Sequence, residues 1–416
     1  MHEKIKIDYI AKIEGHASFL ADIVKGEIEK ARVKVEEGAR LIEGILRNRR
    51  VAELPEVSSR ICGVCPIVHY LTSLKAIEDA LGVGISEQTS LLRKLMMASQ
   101  IITSHSLHLF FFSSADFFAI ESNIDLVKKF PSETSWAIKL RDAGNKIAKT
   151  IGGRSVHPLT PTIGGFRKLP QKEDLLEISK TCAEALDEAE NFANFFVKME
   201  YPEFERKTEY ISLIDNIHYT ICDGKLMGHT VSDFLKVIRE IEVPGDAEKR
   251  TTLEQPYMVG ALPRIINNNA YLNPLAKKIF LESGIQNHYY NPFYNILAQA
   301  IEVVHFLEEA IMLTNILLAR GIIKEENKFQ LSPGKGIGAM EAPRGTLFYE
   351  VEIDNKGIIS DLNIITPTVQ NLANLEKDLE EFENLKGWKE LSASERKQKI
   401  AMLIRAYDPC ITCATH

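Results

Sequence analysis

The sequence is poor in several features that define whole classes of protein. Its 416 residues include only 2 Trp and 6 Cys, and its 24 Gly and 16 Pro form no repeat. Lys and Arg (50) do not outnumber Asp and Glu (57), so a net charge of −7 leaves no general basic surface for the phosphates of nucleic acid. A hydrophobic share of 45% and a charged share of 26% are typical of globular proteins and exclude disordered and fibrous classes.

Long apolar runs are also scarce. The opening segment MHEKIKIDYIAKIEGH lacks the apolar core of a secretory signal peptide. Leu95–Ala115 carries no Asp, Glu, Lys or Arg and has roughly the 20 residues that a membrane span needs. Its many Ser, Thr, Gln and His residues indicate a helix buried in protein rather than in lipid. We therefore expect a soluble, cytoplasmic protein without a membrane span, whose cysteines are free thiols or metal ligands.

Hydrophobic periodicity predicts β-hairpins near both ends of the chain and helices between them. One hairpin covers 4–36 and turns at Lys25-Gly26; another starts at Gly345 and turns at 354–357. We expect both hairpins to share one small sheet that joins the termini. Helices are predicted over 88–122, 134–151, 172–200, 272–285, 292–321 and 369–386. A last helix begins at the capping box Ser392-Ala393-Ser394-Glu395 and runs to about Ala406.

Nothing in the sequence marks a domain boundary, so residues 1–416 are predicted to form a single, mainly helical domain. Cys182 falls on an apolar helical stripe with Leu175 and Ile178, and we interpret it as a buried thiol. The isolated Cys222 is interpreted in the same way.

The other four cysteines form two CxxC motifs, Cys62–Cys65 and Cys410–Cys413, at opposite ends of the chain. Each motif places two sulfurs where both can bind one metal ion, and two motifs together make a four-thiolate site. A structural zinc, a redox disulfide and coincidence are the alternatives. Zinc ribbons usually hold their CxxC pairs about 15–20 residues apart, and soft thiolates also suit copper, iron and nickel. The residues predict a four-sulfur site without deciding its metal.

The two CxxC motifs belong to a series of five short motifs spread along the chain: Ile13-Glu14-Gly15-His16, Arg60-Ile61-Cys62-Gly63-Val64-Cys65-Pro66-Ile67-Val68-His69, Tyr257-Met258-Val259-Gly260-Ala261-Leu262-Pro263-Arg264, Glu341-Ala342-Pro343-Arg344-Gly345, and Asp408-Pro409-Cys410-Ile411-Thr412-Cys413-Ala414-Thr415-His416. In content and order these motifs closely resemble those of the large, catalytic subunit of nickel–iron hydrogenases, with Lys12 where the family usually has Arg. The resemblance covers essentially the whole chain. In its modest length and its AYDPC-type ending, the chain is more similar to the cytoplasmic, soluble-cofactor-linked group of the family than to the membrane-bound uptake group. The implied fold is a long-helix bundle with small β-hairpin sheets from the N-terminal and C-terminal regions.

The resemblance implies a nickel–iron centre with carbon monoxide and cyanide ligands on the iron. Cys62 and Cys410 match the terminal nickel ligands, and Cys65 and Cys413 match the sulfurs that bridge nickel and iron. The positions that line the pocket around the iron ligands match Arg344, Leu347, Pro367 and Thr368, with Thr368 donating to a cyanide and Arg344 over the open metal face.

Further matches lie around this centre. His69 is implied to hydrogen-bond a bridging sulfur. Glu43, His416 and the carbonyl of Ile364 match the ligands of a structural magnesium ion.

His105, His108 and Asp116 can face one way on their predicted helix. We interpret the two histidines as part of a buried polar stripe rather than as a metal site. Asp116 matches an acidic residue near the metal centre, beside Asp408, where it would tune Arg344.

The implied reaction is reversible heterolysis of dihydrogen. The Cys410 sulfur would take the proton first and Glu14 next; Arg344 is the weaker candidate base because a guanidinium is hard to deprotonate. No cysteine remains for an iron–sulfur cluster, so electrons would leave through an iron–sulfur small subunit. Further flavin or iron–sulfur subunits would pass them to NAD(P), a deazaflavin or ferredoxin.

The resemblance also has an implication for how the C-terminus is processed. Family precursors usually extend past the terminal His, and a protease removes that extension after nickel insertion. Nothing follows His416 here, so we expect either the mature form or a gene without the extension. The alternatives are a metal-free subunit of a related respiratory-type complex and a zinc-bearing scaffold.

Overall fold

The computed structural model describes residues 2–24, 27–243, 246–326 and 329–416. Its α-helices are, in chain order, α1 (Ile42–Leu46), α2 (Leu54–Ser58), α3 (Pro66–Leu81), α4 (Glu87–Leu107), α5 (Ser114–Phe117), α6 (Asn123–Lys129), α7 (Pro131–Gly152), α8 (Lys172–Glu184), α9 (Leu186–Val197), α10 (Val231–Leu235), α11 (Ala261–Asn268), α12 (Pro274–Glu282), α13 (Asn295–Arg320), α14 (Pro367–Glu380), α15 (Ala393–Ala406) and α16 (Ile411–Ala414). The predicted mainly helical character is confirmed.

The helix α13 is the centre of the helical packing. Every residue from Asn295 to Leu307 is buried, because this half of the helix is covered on all sides. α13 contacts α4, α8, α9, α11 and α12, and α4 also packs along α7. The polar stretch that sequence alone could assign to lipid is therefore inside the protein, and no helix of the described ranges is long and apolar enough to cross a bilayer.

The predicted helices are present, with two interruptions. The helix predicted over 88–122 is α4, a π-helical turn at His108–Ser113 and the short α5. The helix predicted over 172–200 is two helices, α8 and α9, separated at Ala185. The capping box is confirmed: the Ser392 N–H donates to Glu395 Oε2 at 2.8 Å, and the Glu395 N–H donates to Ser392 Oγ at 3.3 Å. The helices α3 and α11 were not predicted.

The strands are β1 (His2–Ile7), β2 (Ala17–Val24), β3 (Glu27–Val35), β4 (Pro161–Thr162), β5 (Gly165–Phe166), β6 (Glu209–Tyr210), β7 (Arg239–Glu242), β8 (Lys249–Thr252), β9 (Tyr257–Met258), β10 (Gly334–Ala342), β11 (Gly345–Ile353) and β12 (Ile359–Ile365). Two antiparallel sheets have three strands each, in the orders β1-β2-β3 and β10-β11-β12. The remaining strands form two-stranded pairs, β4-β5, β6-β9 and β7-β8.

The expectation of a single shared sheet is wrong, because the two hairpins belong to separate sheets. The two ends of the chain nevertheless meet through backbone hydrogen bonds. The Ile411 N–H donates to the Glu14 carbonyl at 2.9 Å, and the Arg40 N–H donates to the Thr415 carbonyl at 2.7 Å. The predicted turn at 354–357 is confirmed, with Gly357 at φ +74°. The turn predicted at Lys25-Gly26 lies outside the described residues.

The strand β10 lies directly against α3. Gly334, Gly336 and Gly338 share one face of the strand, and a Cβ at any of them would overlap the backbone of α3 at Ala80, Ala76 or Thr72. This close approach fixes the position of α3, whose first residues carry part of the candidate site.

Candidate metal centre

The two CxxC motifs sit at the starts of two helices that the fold brings together. Cys65 is the N-cap residue of α3, where Pro66 takes the first helical position, and Cys410 is the N-cap residue of α16. Arg40 joins the motifs, since its guanidinium donates to the carbonyls of Ile61 (2.8 Å) and Thr412. Each motif is thus held rigidly beside the other.

The four sulfurs form one buried group. They lie within 4.8 Å of one another, and among the described residues this is the only group of three or more His, Cys, Asp or Glu side chains placed to hold one ion. Cys62 Sγ lies 3.5 Å from Cys410 Sγ, and Cys65 Sγ lies 3.3 Å from Cys413 Sγ. Between the motifs, the first cysteine of one therefore faces the first of the other and the second faces the second, while Cys410 Sγ and Cys413 Sγ within one motif lie 2.8 Å apart.

The electrostatics of this group favour a cation. Burial raises the pKa of Cys410 and of Cys413 well above the usual thiol value. Hydrogen bonds from the thiols of Cys410, Cys413 and Cys65 hold the pKa of Cys62 well below it. Four thiolates cannot ionise together in so dry a place unless a metal ion neutralises them. The donor set is therefore chemically suited to soft transition-metal ions.

A small cavity adjoins the sulfurs on one side. Its walls are almost entirely apolar. The space open to the centre of a water-sized sphere is only about 10 Å³, so the cavity admits only very small groups. The four residues that the resemblance places around the iron ligands all line this cavity. Its complete lining is Cys65, His69, Ala342, Pro343, Arg344, Leu347, Pro367, Thr368, Cys410 and Cys413. Thr368 Oγ1 accepts the Cys410 N–H at 3.0 Å, which leaves the hydroxyl hydrogen of Thr368 free to donate.

Arg344 is the cation of this cavity. Its Nη2 donates to Asp408 Oδ1 at 2.8 Å, and its Nε donates to the Asp408 carbonyl at 2.7 Å. Asp408 has φ +50°, a left-handed conformation in which its side chain and its carbonyl both reach the same guanidinium. Burial disfavours the charged form, yet Asp408 and the sulfurs of the site raise the pKa of Arg344 well above its usual value. Arg344 is therefore a fixed positive charge rather than a base.

Glu14 is the carboxylate of the site. Its Oε2 accepts from the Cys410 thiol at 3.0 Å and from the Thr412 N–H at 3.1 Å, while Oε1 accepts from the Thr412 hydroxyl at 2.6 Å. The next residue, Gly15, has φ +86°, and a Cβ there would lie 2.6 Å from Ile411 Cβ. Glycine is required for the strand end to approach α16 so closely. Glu14 is half-buried, between the sulfurs and the protein surface.

His69 is the imidazole of the site. Its Nε2 lies 3.6 Å from Cys413 Sγ, and its Nδ1 lies 2.7 Å from the Tyr349 hydroxyl. Burial lowers the pKa of His69 to about 3, so the imidazole is neutral. If the Tyr349 hydroxyl donates to Nδ1, the ring hydrogen is on Nε2 and points at the sulfur.

Comparison with known proteins identifies the family. The family model described as nickel-dependent hydrogenase matches residues 40–143 and 293–416. Sulfhydrogenase 1 subunit alpha of Pyrococcus furiosus is 33% identical over 425 residues, which cover 99% of this chain and 97% of that protein. The chain belongs to the nickel-dependent hydrogenases. It is similar to their nickel–iron catalytic subunits along its whole length.

Two further similarities concern this hydrogenase. Sulfhydrogenase 2 subunit alpha of the same organism is 30% identical, covering 99% of this chain and 98% of that protein. The crystal structure of an NAD+-reducing [NiFe]-hydrogenase in the H2-reduced state superposes with a TM-score of 0.88 at 23% identity, covering 100% of this chain and 99% of that chain. That match shows the shared fold.

A second group of possible ligands lies behind the hydrogenase's sulfurs. His416 Nε2 is 2.9 Å from the Ile364 carbonyl and 3.8 Å from Glu43 Oε1, which also accepts the Ile364 N–H at 2.7 Å. One carboxylate, one carbonyl and one imidazole leave room for the waters that magnesium retains. The structure brings together all three residues that the resemblance implied.

The polar side chains of α4 and the π-helical turn have structural partners. His105 Nε2 lies 2.8 Å from Glu302 Oε2, and His108 Nδ1 lies 2.6 Å from Gln299 Oε1. The interpretation of these histidines as a buried polar stripe is confirmed.

The expectation for Asp116 is wrong. Both of its oxygens pair with Arg405, at 2.6 Å each, and not with Arg344. The π-helical turn holds more residues per turn than an α-helix, so residues beyond it face a direction that α-helical spacing does not predict.

Several residues of the site were not predicted from sequence. Tyr349 orients His69, Arg40 joins the two CxxC motifs, and Gln299 holds Asp408 through a 3.1 Å hydrogen bond to Oδ2. Their contacts join distant segments, and no local pattern marks them. The sequence predicted no role for Arg264 beyond its place in a motif, and the structure shows that its side chain is fully buried.

Proposed function

We propose that this hydrogenase splits and forms dihydrogen at a nickel–iron centre held by Cys62, Cys65, Cys410 and Cys413. The observation that carries the proposal is a four-sulfur group that opens onto an apolar cavity lined by Arg344 and that contacts Glu14. A structural zinc site needs neither a cavity nor a carboxylate relay, so this surrounding favours catalysis over a scaffold.

The cross-facing of the motifs supports roles for the individual sulfurs. Cys62 and Cys410 would be terminal nickel ligands, and Cys65 and Cys413 would bridge nickel and iron. When bound, the centre supplies the binding and heterolytic polarisation of dihydrogen, with carbon monoxide and cyanide ligands on the iron. Leu347 and Pro367 would keep those ligands dry, and Thr368 would donate its free hydroxyl hydrogen to a cyanide. His69 would polarise the Cys413 sulfur.

Proton movement is assigned to Cys410 and Glu14. In the described part of the chain, Cys410 is the cysteine of the site whose sulfur contacts a carboxylate, at 3.0 Å. A proton held on this sulfur would pass to Glu14 Oε2 and then to the surface. Arg344 would remain charged, holding the open side of the site by its field rather than by accepting a proton.

Electrons would leave through a partner. Burial raises the pKa of Cys182 and of Cys222 to about 12, so both remain thiols, and they stand apart from the four-sulfur group. We therefore propose an iron–sulfur small subunit, with flavin or further iron–sulfur subunits delivering electrons to NAD(P), a deazaflavin or ferredoxin.

The remaining assignments complete the proposal. Glu43, Ile364 and His416 would hold a structural magnesium ion. Residues 1–416 would form one large-subunit domain in the cytoplasm. Nickel-insertion factors and a processing protease would act before the C-terminal cysteines close over the metals.

The direct test uses the chain purified with its co-expressed partner subunits. We expect nickel, more iron than nickel because the partner's clusters also contain iron, and hydrogen-dependent reduction of a viologen dye. Zinc in place of nickel would support the scaffold alternative, and a complex that retains its partners but contains neither nickel nor zinc would support the respiratory-type alternative.

A further inference from the structure

Arg264 is the most completely bonded cation in the interior. It lies on α11 with no exposed surface, and all five of its N–H hydrogens have acceptors. Nε and Nη2 donate to the two oxygens of Glu302, each at 2.7 Å. Nη1 donates to the Ala342 carbonyl at 2.8 Å and to Glu341 Oε2 at 3.2 Å, and Nη2 donates to the Pro343 carbonyl at 2.9 Å.

The two carbonyls that Arg264 binds immediately precede Arg344 in the chain. One is on the last residue of β10 and the other is in the connection to β11, and Ala342, Pro343 and Arg344 all line the cavity beside the sulfurs. Arg264 does not line this cavity. It therefore holds the wall of the cavity from behind, through backbone atoms.

Glu302 fixes Arg264 in turn. Its oxygens also accept from the Tyr219 hydroxyl at 2.6 Å and face His105 Nε2 at 2.8 Å. His105 Nδ1 has no partner among the described residues, so a neutral ring that donates from Nε2 is the form that avoids an unpaired buried N–H. Glu341 Oε1 accepts from the Leu213 N–H at 2.8 Å. The cluster thus anchors the connection to α4, α11 and α13 at once.

We propose that Arg264, held by Glu302, is a positioning residue that sets where the Arg344 guanidinium stands over the metal cavity. This inference rests on the proposed role of Arg344. A lysine at 264 keeps the charge but offers three hydrogens from one nitrogen, which cannot reach two carboxylates and two carbonyls in the same geometry. The connection would then shift, and the Arg344 guanidinium with it.

Arg93 supplies a matched control. It is also a buried guanidinium and also forms a two-pronged pair with a buried carboxylate, from Nη1 and Nη2 to Glu78, at 2.7 and 2.6 Å. Its other contact is the Thr162 carbonyl, at 3.0 Å, and none of these residues lines the cavity. Arg93→Lys therefore perturbs a buried ion pair without touching the wall.

The experiment compares Arg264→Lys, Arg93→Lys and Arg344→Lys as complete complexes with their partner subunits. The measurements are metal content, kcat and KM for hydrogen, and the infrared bands of carbon monoxide and cyanide on iron. For Arg264→Lys we expect near-normal metal content, displaced or broadened bands and a kcat lower by about 10- to 100-fold with little change in KM. Arg93→Lys should match the wild type in bands and kcat.

A second variant covers a failure of Arg264→Lys to fold. Arg264→Gln/Glu302→Gln removes one charge of each sign, so the net buried charge is unchanged, and it should show the same displaced bands. Wild-type bands and kcat in Arg264→Lys at full metal content would overturn the inference. It is equally overturned if neither variant yields metal-loaded protein while Arg93→Lys does, because Arg264 would then serve folding alone.

Arg344→Lys separates the two claims. If it alters bands and kcat while Arg264→Lys does not, only the positioning role fails. If Arg344→Lys itself resembles the wild type, the proposed role of Arg344 fails and the positioning role fails with it.

Discussion

Glu14 is held by three hydrogen bonds that aim one of its oxygens at the Cys410 sulfur. Glu14→Gln keeps the shape but removes the group that carries a proton. We expect the rate of isotope exchange between dihydrogen and deuterated water to fall at least about 100-fold while nickel content stays near normal. If Glu14 serves structure alone, the variant should lose roughly 1–3 kcal/mol of stability with little change in exchange per folded molecule.

The control for this variant is Glu37→Gln. Glu37 accepts from the His16 N–H at 3.0 Å, two residues from Glu14, and its carboxylate is not among the contacts of Cys410. It should exchange like the wild type. Normal exchange in Glu14→Gln at full nickel content would contradict the relay.

Cys65 and Cys182 are both buried thiols in very different surroundings. Cys65→Ser places a hard oxygen where the proposed bridging sulfur lies, so we expect nickel and iron to be lost together and hydrogen uptake to disappear. Cys182 lies on the apolar stripe of α8, so the Cys182→Ser protein should keep its metals and lose a modest amount of stability. Metal analysis on both purified variants checks this, and a Cys65→Ser protein with full nickel would refute the ligand assignment.

At the scale of elements, the packing of β10 on α3 determines where Cys65 and His69 lie. A Cβ on Gly338 would overlap the Thr72 carbonyl of α3, and neither backbone can move easily. We expect Gly338→Ala to cost about 1–3 kcal/mol and to reduce metal loading. Gly84→Ala, which meets no atom within 4 Å, is the control for thermal unfolding and nickel content. Equal midpoints for the two variants would show that the contact is not tight.

The junction of α14 and α15 carries a pH-sensitive contact. Asp378 accepts from Tyr407 and Arg206, and burial raises its pKa from 3.8 to about 6. A raised folded-state pKa gives stability that is present below pH 3.8 and lost as the pH rises through about 6. Relative to Asp378→Asn, the wild type should therefore gain about 1 kcal/mol between pH 7 and pH 5. Unfolding of both proteins in urea at the two pH values measures this difference; parallel pH dependences would contradict it.

Sequence predicted the elements whose signal is local. The capping box at Ser392 and the apolar period of α13 each lie within one segment, and both helices are present. It did not predict α3, which follows the cysteine-bearing run around Cys65, nor the π-helical turn after α4. It also merged two sheets into one, because strand periodicity says which residues pair within a hairpin and not which hairpins meet.

The residues of the site also divide into those that a local motif predicts and those that act through long-range contacts. The cysteines, Glu14 and Arg344 are in motifs that could be read in order, and the structure places them together. Arg40, Tyr349 and Gln299 act through contacts with remote backbone or side chains, and only coordinates reveal those contacts.

For the whole molecule, the site exists only when the two ends of the chain meet. One CxxC motif starts α3 and the other starts α16, and the Glu14 carbonyl binds the N–H of Ile411 between them. Burial of the sulfurs makes the four thiolates depend on a metal charge, so metal insertion and closure of the C-terminal segment should be coupled.

The most direct measurement is the infrared spectrum of the purified complex, recorded together with its nickel and iron content. The account predicts bands of carbon monoxide and cyanide bound to iron, with nickel present, with iron in excess of nickel because of the partner's clusters, and with hydrogen altering the band positions. A spectrum without such bands from a folded complex that contains no nickel, with or without zinc in its place, would contradict it.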